Sequence, residues 1–283
     1  MELGNSGERG SVEDRRGAKA PLAIGGGIGA IVLALVGAYF GVDLNQFAGN
    51  AGGPVTQGTG KADGYKDFSE KLLGSTNTVW KDQFEKNRYS RHRGAYAPPK
   101  MVLFSGSVES EGCGVAPSAV GPFYCPASKK VFIDPTFFEE LETKLGGSKA
   151  DFSQAYVIGH EVGHHVQHLL GYSSDDFQRR DGKQNAGIRM ELQADYLAGV
   201  WAHHAKDKLK IDSQDIEEAL TTARAIGDNR IQEKMKGKSW PESFNHGTDK
   251  QRLKYFKQGF ATGDASEAKL NEFFDPRVKP LDL

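Results

Sequence analysis

A stretch of 23 residues without a charged side chain, residues 20–42, constrains this chain more than any other feature of its sequence. It reads APLAIGGGIGAIVLALVGAYFGV, and about 20 mostly apolar residues in a helix are enough to cross the hydrocarbon core of a bilayer. Three basic residues lie just before the run, whereas the next one after it is Lys61. The positive-inside rule therefore predicts a single transmembrane helix, with residues 1–19 as a cytoplasmic tail.

A cleaved signal peptide is the alternative for this run. Its apolar core usually has ~7–15 residues and is followed by an Ala-x-Ala-like site. The run here is longer and ends in Tyr-Phe-Gly-Val-Asp, which favours an uncleaved signal anchor. Residues 43–62 are rich in Gly, Asn, Gln and Thr and predict a flexible linker. We therefore expect residues 63–283 to form one extracytoplasmic domain, attached to the cell membrane by a single-pass helix.

Apolar spacing divides this domain into an early helix, a strand-rich stretch and later helices. Residues 65–87 repeat apolar side chains at near-helical spacing. Residues 101–104, 123–125 and 131–133 are short apolar runs bounded by turn-forming residues, which is typical of strands, and the last two predict a hairpin. From Pro135 onward the pattern is helical. Strands followed by helices predict an α+β fold, mostly helical with a small antiparallel sheet.

The two cysteines of the chain, Cys113 and Cys125, both lie in the predicted extracytoplasmic domain. Disulfides form and persist in such oxidising surroundings. The Cys-x11-Cys spacing is not one that zinc sites commonly use. We therefore expect a disulfide between them, with free thiols as the alternative.

The residues with the clearest chemistry are His160, Glu161 and His164, which form a His-Glu-x-x-His motif in an apolar, helix-like segment. Side chains at i and i+4 share one face of a helix, so both imidazoles can bind one metal ion. Glu161 can then act as general base toward a water molecule on that ion. The motif predicts a Zn²⁺ site with His160 and His164 as ligands and Glu161 as the catalytic residue.

A third ligand has to come from another part of the chain. The metzincin pattern requires a histidine at position 170, where this chain has Leu170. Glu191 and Asp195 stand at i and i+4 in a later helical segment. Glu191 can complete the ligand set, and Asp195 can accept a hydrogen bond from the outer N–H of a zinc-binding histidine. A solvated acidic helix face is the alternative for this pair.

Three other histidines lie near enough in the pattern to be weighed. His246 precedes a helix that Thr248 is expected to cap, and its imidazole could donate to the oxyanion of a tetrahedral intermediate. A structural role in the loop is the alternative. His165 points away from His164, which favours packing beside the site. His168 is ~12 Å along the helix axis from the first histidine of the motif and is expected to line the wall of the site.

Several segments together resemble the putative neutral zinc metallopeptidases of bacteria, a family that is predicted to be gluzincin-like. The resemblance covers about residues 96–260 and rests on GCG at 112–114, GPFYCP at 121–126, VFID at 131–134, HEVGHHVQ at 160–167, ELQADYLAG at 191–199 and HGT-x-x-QR-x-x-x-F at 246–256. VEDRRG at 12–17 fits the same family. The resemblance implies a zincin-like domain with zinc on His160, His164 and Glu191, and with Glu161 catalytic.

The sequence thus predicts a membrane-anchored zinc peptidase that acts on a peptide or protein substrate. Zinc would polarise the scissile carbonyl, Glu161 would move a proton to the leaving amine, and an edge strand near residues 122–133 could align an extended peptide. The rivals are a non-catalytic zinc-containing binding module of the cell envelope and a zinc hydrolase of non-peptide amides. A net charge of −1 argues against a nucleic-acid partner.

Overall fold

A computed structural model of the chain describes residues 1–4, 8–17, 63–90, 92, 94–174, 182–236, 238–239 and 244–283. The predicted transmembrane run at 20–42 and the predicted linker at 43–62 lie outside the described residues. Among the helices that the structure does describe, none combines the length and the apolar character that a membrane crossing requires.

The described chain is mostly helical with a small amount of sheet, which confirms the predicted α+β class. Its elements, joined in places by short 3₁₀ and π turns, are β1 (Val12–Asp14), α1 (Tyr65–Asn87), β2 (Lys100–Leu103), β3 (Ser107–Glu109), β4 (Val115–Pro117), β5 (Phe123–Cys125), β6 (Lys130–Ile133), α2 (Thr136–Glu140), α3 (Asp151–Leu169), α4 (Lys183–Leu209), α5 (Ser213–Ala225), α6 (Asp228–Lys236), α7 (Asp249–Thr262) and α8 (Glu267–Asn271). The helix and the strands that apolar spacing predicts therefore all form, with bounds shifted by a residue at most.

Four strands form one mixed sheet in the order β1-β2-β6-β5. The predicted hairpin is present as the antiparallel pair β5–β6, and β3 and β4 form a separate antiparallel pair. However, β2 pairs in parallel with both β1 and β6, so the expectation of an antiparallel sheet is wrong for the larger sheet. The long connection between β2 and β6 explains the difference, because it gives the chain enough length to return for a parallel crossover.

The N-terminal segment departs most from the predicted domain boundaries. Residues 1–19 were expected to lie apart from the domain, but β1 is an edge strand of the domain's own sheet. Arg15 reinforces this position through an ion pair with Glu111 at 2.5 Å, and Arg16 through one with Asp63 at 2.6 Å. Hydrogen-bonded neighbouring strands cannot lie on opposite sides of a bilayer. Residues 8–17 and the domain therefore form one folded unit, which corrects the predicted separation of the tail.

Helix α1 has a glycine where the N-terminal segment crosses it. A Cβ atom on Gly74 would lie 2.1 Å from the carbonyl oxygen of Glu8, which is far inside van der Waals contact. Beside this crossing, the backbone N–H of Gly10 donates to the carbonyl oxygen of Glu70 at 2.8 Å. The backbone of the N-terminal segment is thus packed directly against the backbone of α1.

Helix α4 lies at the centre of the helical layer and packs against both α3 and α7. The buried apolar side chains of these helices and of α1 form one continuous core that includes Trp80, Tyr156, Trp201 and Phe256. The expected disulfide is present and joins Cys113, in the connection between β3 and β4, to Cys125 of β5. The His-Glu-x-x-His motif lies on α3, a helix that packs against α1, α4 and α5.

Replacing Gly74 by alanine tests the docking of the N-terminal segment. In the full chain, Gly74→Ala should reduce the free energy of unfolding by about 1–3 kcal/mol, because the new methyl group overlaps the backbone at Glu8. In a chain lacking residues 1–17 the same change should stabilise by about 0.5–1 kcal/mol, because alanine is the better residue inside a helix. Denaturant titration of both pairs measures the two values.

Glu85→Ala, on the exposed face of the same helix, is the control for this experiment. It should change the free energy of unfolding by no more than about 0.5 kcal/mol in either background. If Gly74→Ala changes the free energy of unfolding by the same amount and in the same direction with and without residues 1–17, the N-terminal segment does not pack on α1.

Candidate metal centre

Helices α3 and α4 bring three potential metal ligands together. His160 and His164 of α3 and Glu191 of α4 offer ligand atoms that all lie within 4.8 Å of one another. The Nε2 atom of His160 is 3.2 Å from Nε2 of His164 and 3.1 Å from Oε2 of Glu191. The distance from His164 Nε2 to Glu191 Oε1 is 3.4 Å. The structure therefore assembles the three residues that the sequence predicts as ligands.

The close approach of the two helices depends on Gly163, within the His-Glu-x-x-His motif. A Cβ atom on Gly163 would lie 3.0 Å from the carbonyl oxygen of Ala194, so even a methyl group would press on the backbone of α4. Glu191 lies about one helical turn before Ala194. Its carboxylate consequently reaches the face of α3 that carries the two histidines.

The distance between the two histidine Nε2 atoms, and the distance from each of them to its nearer Glu191 oxygen, fit a tetrahedral zinc ion. Bonds of ~2.0–2.1 Å at tetrahedral angles place neighbouring ligand atoms about 3.3 Å apart. The observed separations of 3.1, 3.2 and 3.4 Å match this value. Three protein ligands would also leave one tetrahedral position for a water molecule or a substrate, as in catalytic zinc sites.

Asp195 fixes the orientation of His160. Its Oδ1 atom accepts hydrogen bonds from His160 Nδ1 at 2.9 Å and from the Tyr156 hydroxyl at 2.6 Å. Arg252 of α7 donates to both oxygens of this carboxylate, at 2.8 and 2.9 Å. Because the ring proton of His160 is on Nδ1, the lone pair of Nε2 faces the other two ligands. Asp195 therefore lies where the sequence predicts a partner of a zinc-binding histidine.

Gln167 fixes the orientation of His164. Its Oε1 atom accepts a hydrogen bond from His164 Nδ1 at 2.8 Å. Its Nε2 atom donates to the carbonyl oxygen of Met190 at 2.6 Å and to Oε1 of Gln193 at 3.0 Å. Gln193 in turn donates to the carbonyl oxygen of Leu270 at 2.9 Å. These bonds fix which way the amide of Gln167 points, so His164 also presents an unprotonated Nε2 to the cluster.

The Nε2 atoms of both histidines and a carboxylate oxygen of Glu191 thus converge, while the ring N–H groups donate to other residues. A cluster of this kind attracts a cation. Burial alone would raise the pKa of Glu191, but His164 and His160 hold it well below its usual value. Burial alone would lower the pKa of His160, but Asp195 and Glu191 outweigh it and raise the pKa to about 10. The surroundings therefore favour positive charge at this point, whether a proton or a metal ion carries it.

Glu161 lies beside the cluster without a hydrogen-bond partner among the described residues, and only 7% of its surface is exposed. Burial raises the pKa of this carboxyl group, and the charges of His160 and His164 offset part of the increase. A buried carboxylate whose pKa is shifted toward neutrality is suited to accept and return a proton near neutral pH.

His246 lies in the loop before α7 and is bound by Asp228. Its Nδ1 atom is 3.0 Å from Asp228 Oδ1, while Oδ2 accepts the backbone N–H groups of Asn245, His246 and Gly247 at 2.7, 2.6 and 3.1 Å. Burial would lower the pKa of His246, but Asp228 and the nearby charge of Glu191 raise it. The predicted loop histidine is thus close enough for its charge to interact with that of Glu191, one of the three potential ligands.

His165 and His168 both contact Tyr124 of the edge strand β5. His165 is fully buried, and burial lowers its pKa to about 4. His168 is half-buried, and its Nδ1 atom is 2.8 Å from the Tyr124 hydroxyl oxygen. His165 is therefore packed beside the motif, as the sequence predicts, whereas His168 lies against the edge strand, and its predicted place in the wall of the site stays a prediction.

Sequence reasoning missed three supporting residues, namely Gln167, Asp228 and Arg252. Gln167 had a local signal, because it stands at i+3 from His164 and side chains at that spacing can interact on a helix. Arg252 stands within the HGT-x-x-QR segment, yet nothing in the spacing connects it with Asp195. Asp228 stands at the start of α6 and His246 in the loop before α7. No sequence pattern or fixed spacing links the two positions, so their contact could not be predicted.

Comparison with known proteins agrees with this geometry. A family model described as putative neutral zinc metallopeptidase matches residues 1–273. The uncharacterized protein YpfJ of Escherichia coli K12 is 39% identical over 281 residues, covering 92% of this chain and 95% of the relative. The uncharacterized protein Rv2575 of Mycobacterium tuberculosis H37Rv is 42% identical over 200 residues, covering 67% of this chain and 65% of the relative. No solved structure matches the chain.

Gln167→Leu tests whether the hydrogen bond to His164 organises the metal centre. Without the amide acceptor, His164 can rotate or change tautomer, so zinc affinity should fall by about 10–100-fold. Competition with a chromogenic chelator measures the affinity. Gln154→Leu, on the first turn of the same helix, is the control and should leave it unchanged. Equal affinities in the two variants would mean that Gln167 does not orient the ligand.

Proposed function

Because this chain belongs to the putative neutral zinc metallopeptidase family, we propose that it hydrolyses peptide bonds with a zinc ion held by His160, His164 and Glu191. The observation that carries the proposal is the convergence of three lone-pair atoms at tetrahedral spacing, with the ring protons of both histidines bound elsewhere. Zinc, when bound, supplies a Lewis acid that polarises a carbonyl group and lowers the pKa of a water molecule.

In this proposal Glu161 is the general base and then the general acid. It follows His160 directly in the motif, so its carboxylate lies next to the metal-binding face of α3. It accepts a proton from the attacking water and returns it to the leaving amine. The raised pKa and the absence of a competing hydrogen bond among the described residues both support this assignment.

His246 is assigned the role of a donor to the oxyanion of the tetrahedral intermediate. Asp228 binds Nδ1, and Nε2 has no hydrogen-bond partner among the described residues, so its N–H is free to donate. The raised pKa keeps the imidazole cationic over a wider pH range. A donor that carries a charge makes a stronger hydrogen bond than a neutral one, which suits the stabilisation of an oxyanion.

The edge of the sheet supports a peptide as the substrate. Strand β5 pairs with β6 on one side and ends the described sheet on the other. It also contacts α3, the helix that carries the metal-binding histidines, through Tyr124. An extended peptide can add to such an edge by backbone hydrogen bonds and then lies alongside that helix. This feature favours peptides over the small non-peptide amides that form the alternative substrate class.

The three-ligand cluster favours an enzyme over a non-catalytic binding module. Structural zinc sites usually have four protein ligands and no open position. Among the described histidine, cysteine and acidic side chains, only three meet in this cluster. A purely structural site also has no use for Glu161, a buried carboxylate beside it that has no hydrogen-bond partner in the described part of the chain.

We further propose that the enzyme is attached to the cell membrane through residues 20–42 and that its domain lies outside the cytoplasm. The disulfide between Cys113 and Cys125 supports an oxidising location. Because β1 pairs with β2, the described residues 8–17 belong on the same side as the domain. A single crossing would place the two flanks of residues 20–42 on opposite sides of the bilayer. The proposal therefore keeps the membrane attachment, but it keeps neither a crossing by this run nor a cytoplasmic position for residues 1–19 in the folded protein.

Glu161→Gln tests the proposed mechanism. The amide cannot accept the proton of the attacking water, so the turnover of a cleaved peptide should fall by about 10²–10⁴-fold. Zinc content should stay at that of the unchanged protein, since Glu161 is not a ligand. Glu217→Gln, an exposed residue of α5, is the control and should keep full activity. Unchanged turnover in Glu161→Gln with zinc bound would disprove the mechanism.

Asp228→Asn tests the assignment of His246 through the pH profile. The Asp228 carboxylate stabilises the imidazolium form, so its loss should lower the pKa of His246. If cationic His246 assists the reaction, the alkaline limb of kcat/KM should move to lower pH in the variant. Asp207→Asn, exposed at the end of α4, should leave the limb in place. A limb at the same pH in all three proteins would rule out this role for His246.

A further inference from the structure

A chain of hydrogen bonds connects strand β5 to helix α3 without using any of the three metal ligands. The hydroxyl oxygen of Tyr124 lies 2.9 Å from Nδ1 of His165 and 2.8 Å from Nδ1 of His168. The Nε2 atom of His165 lies 2.7 Å from the carbonyl oxygen of Ala97. The proposed function gives these residues no task.

The positions of the protons in this series of hydrogen bonds can be worked out from Ala97, where the series begins. The carbonyl oxygen of Ala97 can only accept, so His165 carries a proton on Nε2. No acidic side chain among the described residues contacts His165, and the ring is fully buried, so it is neutral and its Nδ1 accepts. Tyr124 therefore donates its single hydroxyl proton to His165. Its oxygen must accept the hydrogen bond from His168, whose proton is consequently on Nδ1.

These hydrogen bonds make Nε2 of His168 an acceptor. With the proton fixed on Nδ1, the Nε2 atom has a lone pair and is directed away from Tyr124. The residue is half-buried, and no described residue is hydrogen-bonded to Nε2. His168 lies one helical turn beyond His164, which is ~6 Å along the helix axis. It also touches β5, along which the proposed substrate would lie.

We propose that His168 is a specificity residue that accepts a hydrogen bond from a side chain of the peptide, and that Tyr124 is the residue that positions it. The proposal rests on the peptidase function given above. Backbone N–H groups of a peptide added to β5 lie in the plane of the sheet, and every second one pairs with that strand. A donor that is directed out of this plane toward α3 is therefore a side chain. A distance of ~6 Å corresponds to about two residues of extended peptide. The preferred substrates carry a donor such as glutamine, asparagine or lysine about two positions from the scissile bond, and an acidic side chain is disfavoured there.

Matched peptides that differ only by glutamine or glutamate at this position test the inference. The two side chains have nearly the same shape, but only glutamine donates a hydrogen bond. The unchanged protein should cleave the glutamine peptide with about 10-fold higher kcat/KM, which corresponds to one hydrogen bond of about 1.4 kcal/mol. His168→Ala should reduce the ratio to about 1, mainly by raising KM for the glutamine peptide while kcat changes little.

Tyr124→Phe provides the second variant, because it keeps the ring and removes the hydroxyl. His168 then loses the partner that fixes its proton on Nδ1, so its Nε2 can become a donor, and the preference for glutamine should shrink or reverse. A residue that only stabilises the strand would lower activity on both peptides equally. His203→Ala, an exposed histidine near the end of α4, is the control and should keep the ratio of the unchanged protein.

The outcomes separate this inference from the proposed function. If the zinc-loaded protein cleaves neither peptide nor any other in a library, the peptidase function itself fails. If it cleaves both peptides and the glutamine-to-glutamate ratio is the same in the unchanged protein, His168→Ala and Tyr124→Phe, the peptidase function stands and the role of His168 is overturned.

Discussion

The buried carboxylate of Asp195 is the interaction on which the rest of the site depends. It receives hydrogen bonds from His160 and Tyr156 of α3 and two from Arg252 of α7, while Asp195 itself belongs to α4. A buried charge that lost these partners would cost several kcal/mol. The three helices are therefore held in the one arrangement that satisfies this carboxylate. In that arrangement the Nε2 atom of His160 faces the carboxylate of Glu191.

The two histidines of the motif are oriented by hydrogen bonds to different kinds of acceptor, and in both cases Nε2 faces the cluster. His160 donates to a charged carboxylate, whereas His164 donates to the neutral amide of Gln167. Both partners are fixed by further hydrogen bonds, so neither ring is free to turn its protonated nitrogen toward the cluster. Such preorganisation means that binding a metal ion requires little rearrangement of the protein. It also leaves Glu161, between the two, as the one carboxylate of the motif available for proton transfer.

Features encoded in local patterns could be predicted from the sequence, and features set by distant contacts could not. Helix α3, the hairpin and the convergence of the motif with Glu191 follow from periodicity and from the ligand spacing that metal ions require. The position of β1 does not, because a three-residue strand has no periodicity to detect and its partner β2 is far along the chain. Arg252 and Asp228 were missed for the same reason, since packing, rather than spacing, selects their partners.

X-ray absorption at the zinc edge of the purified, zinc-loaded protein tests the central claim most directly. The account predicts four-coordinate zinc with two imidazole nitrogens, carboxylate oxygen and one oxygen from solvent, at ~2.0–2.2 Å. In Glu191→Ala the signal of the two imidazoles should remain while the oxygen contribution changes. Failure to load stoichiometric zinc, or a spectrum that shows sulfur ligands or four ligands from the protein, would contradict an open centre built on His160, His164 and Glu191.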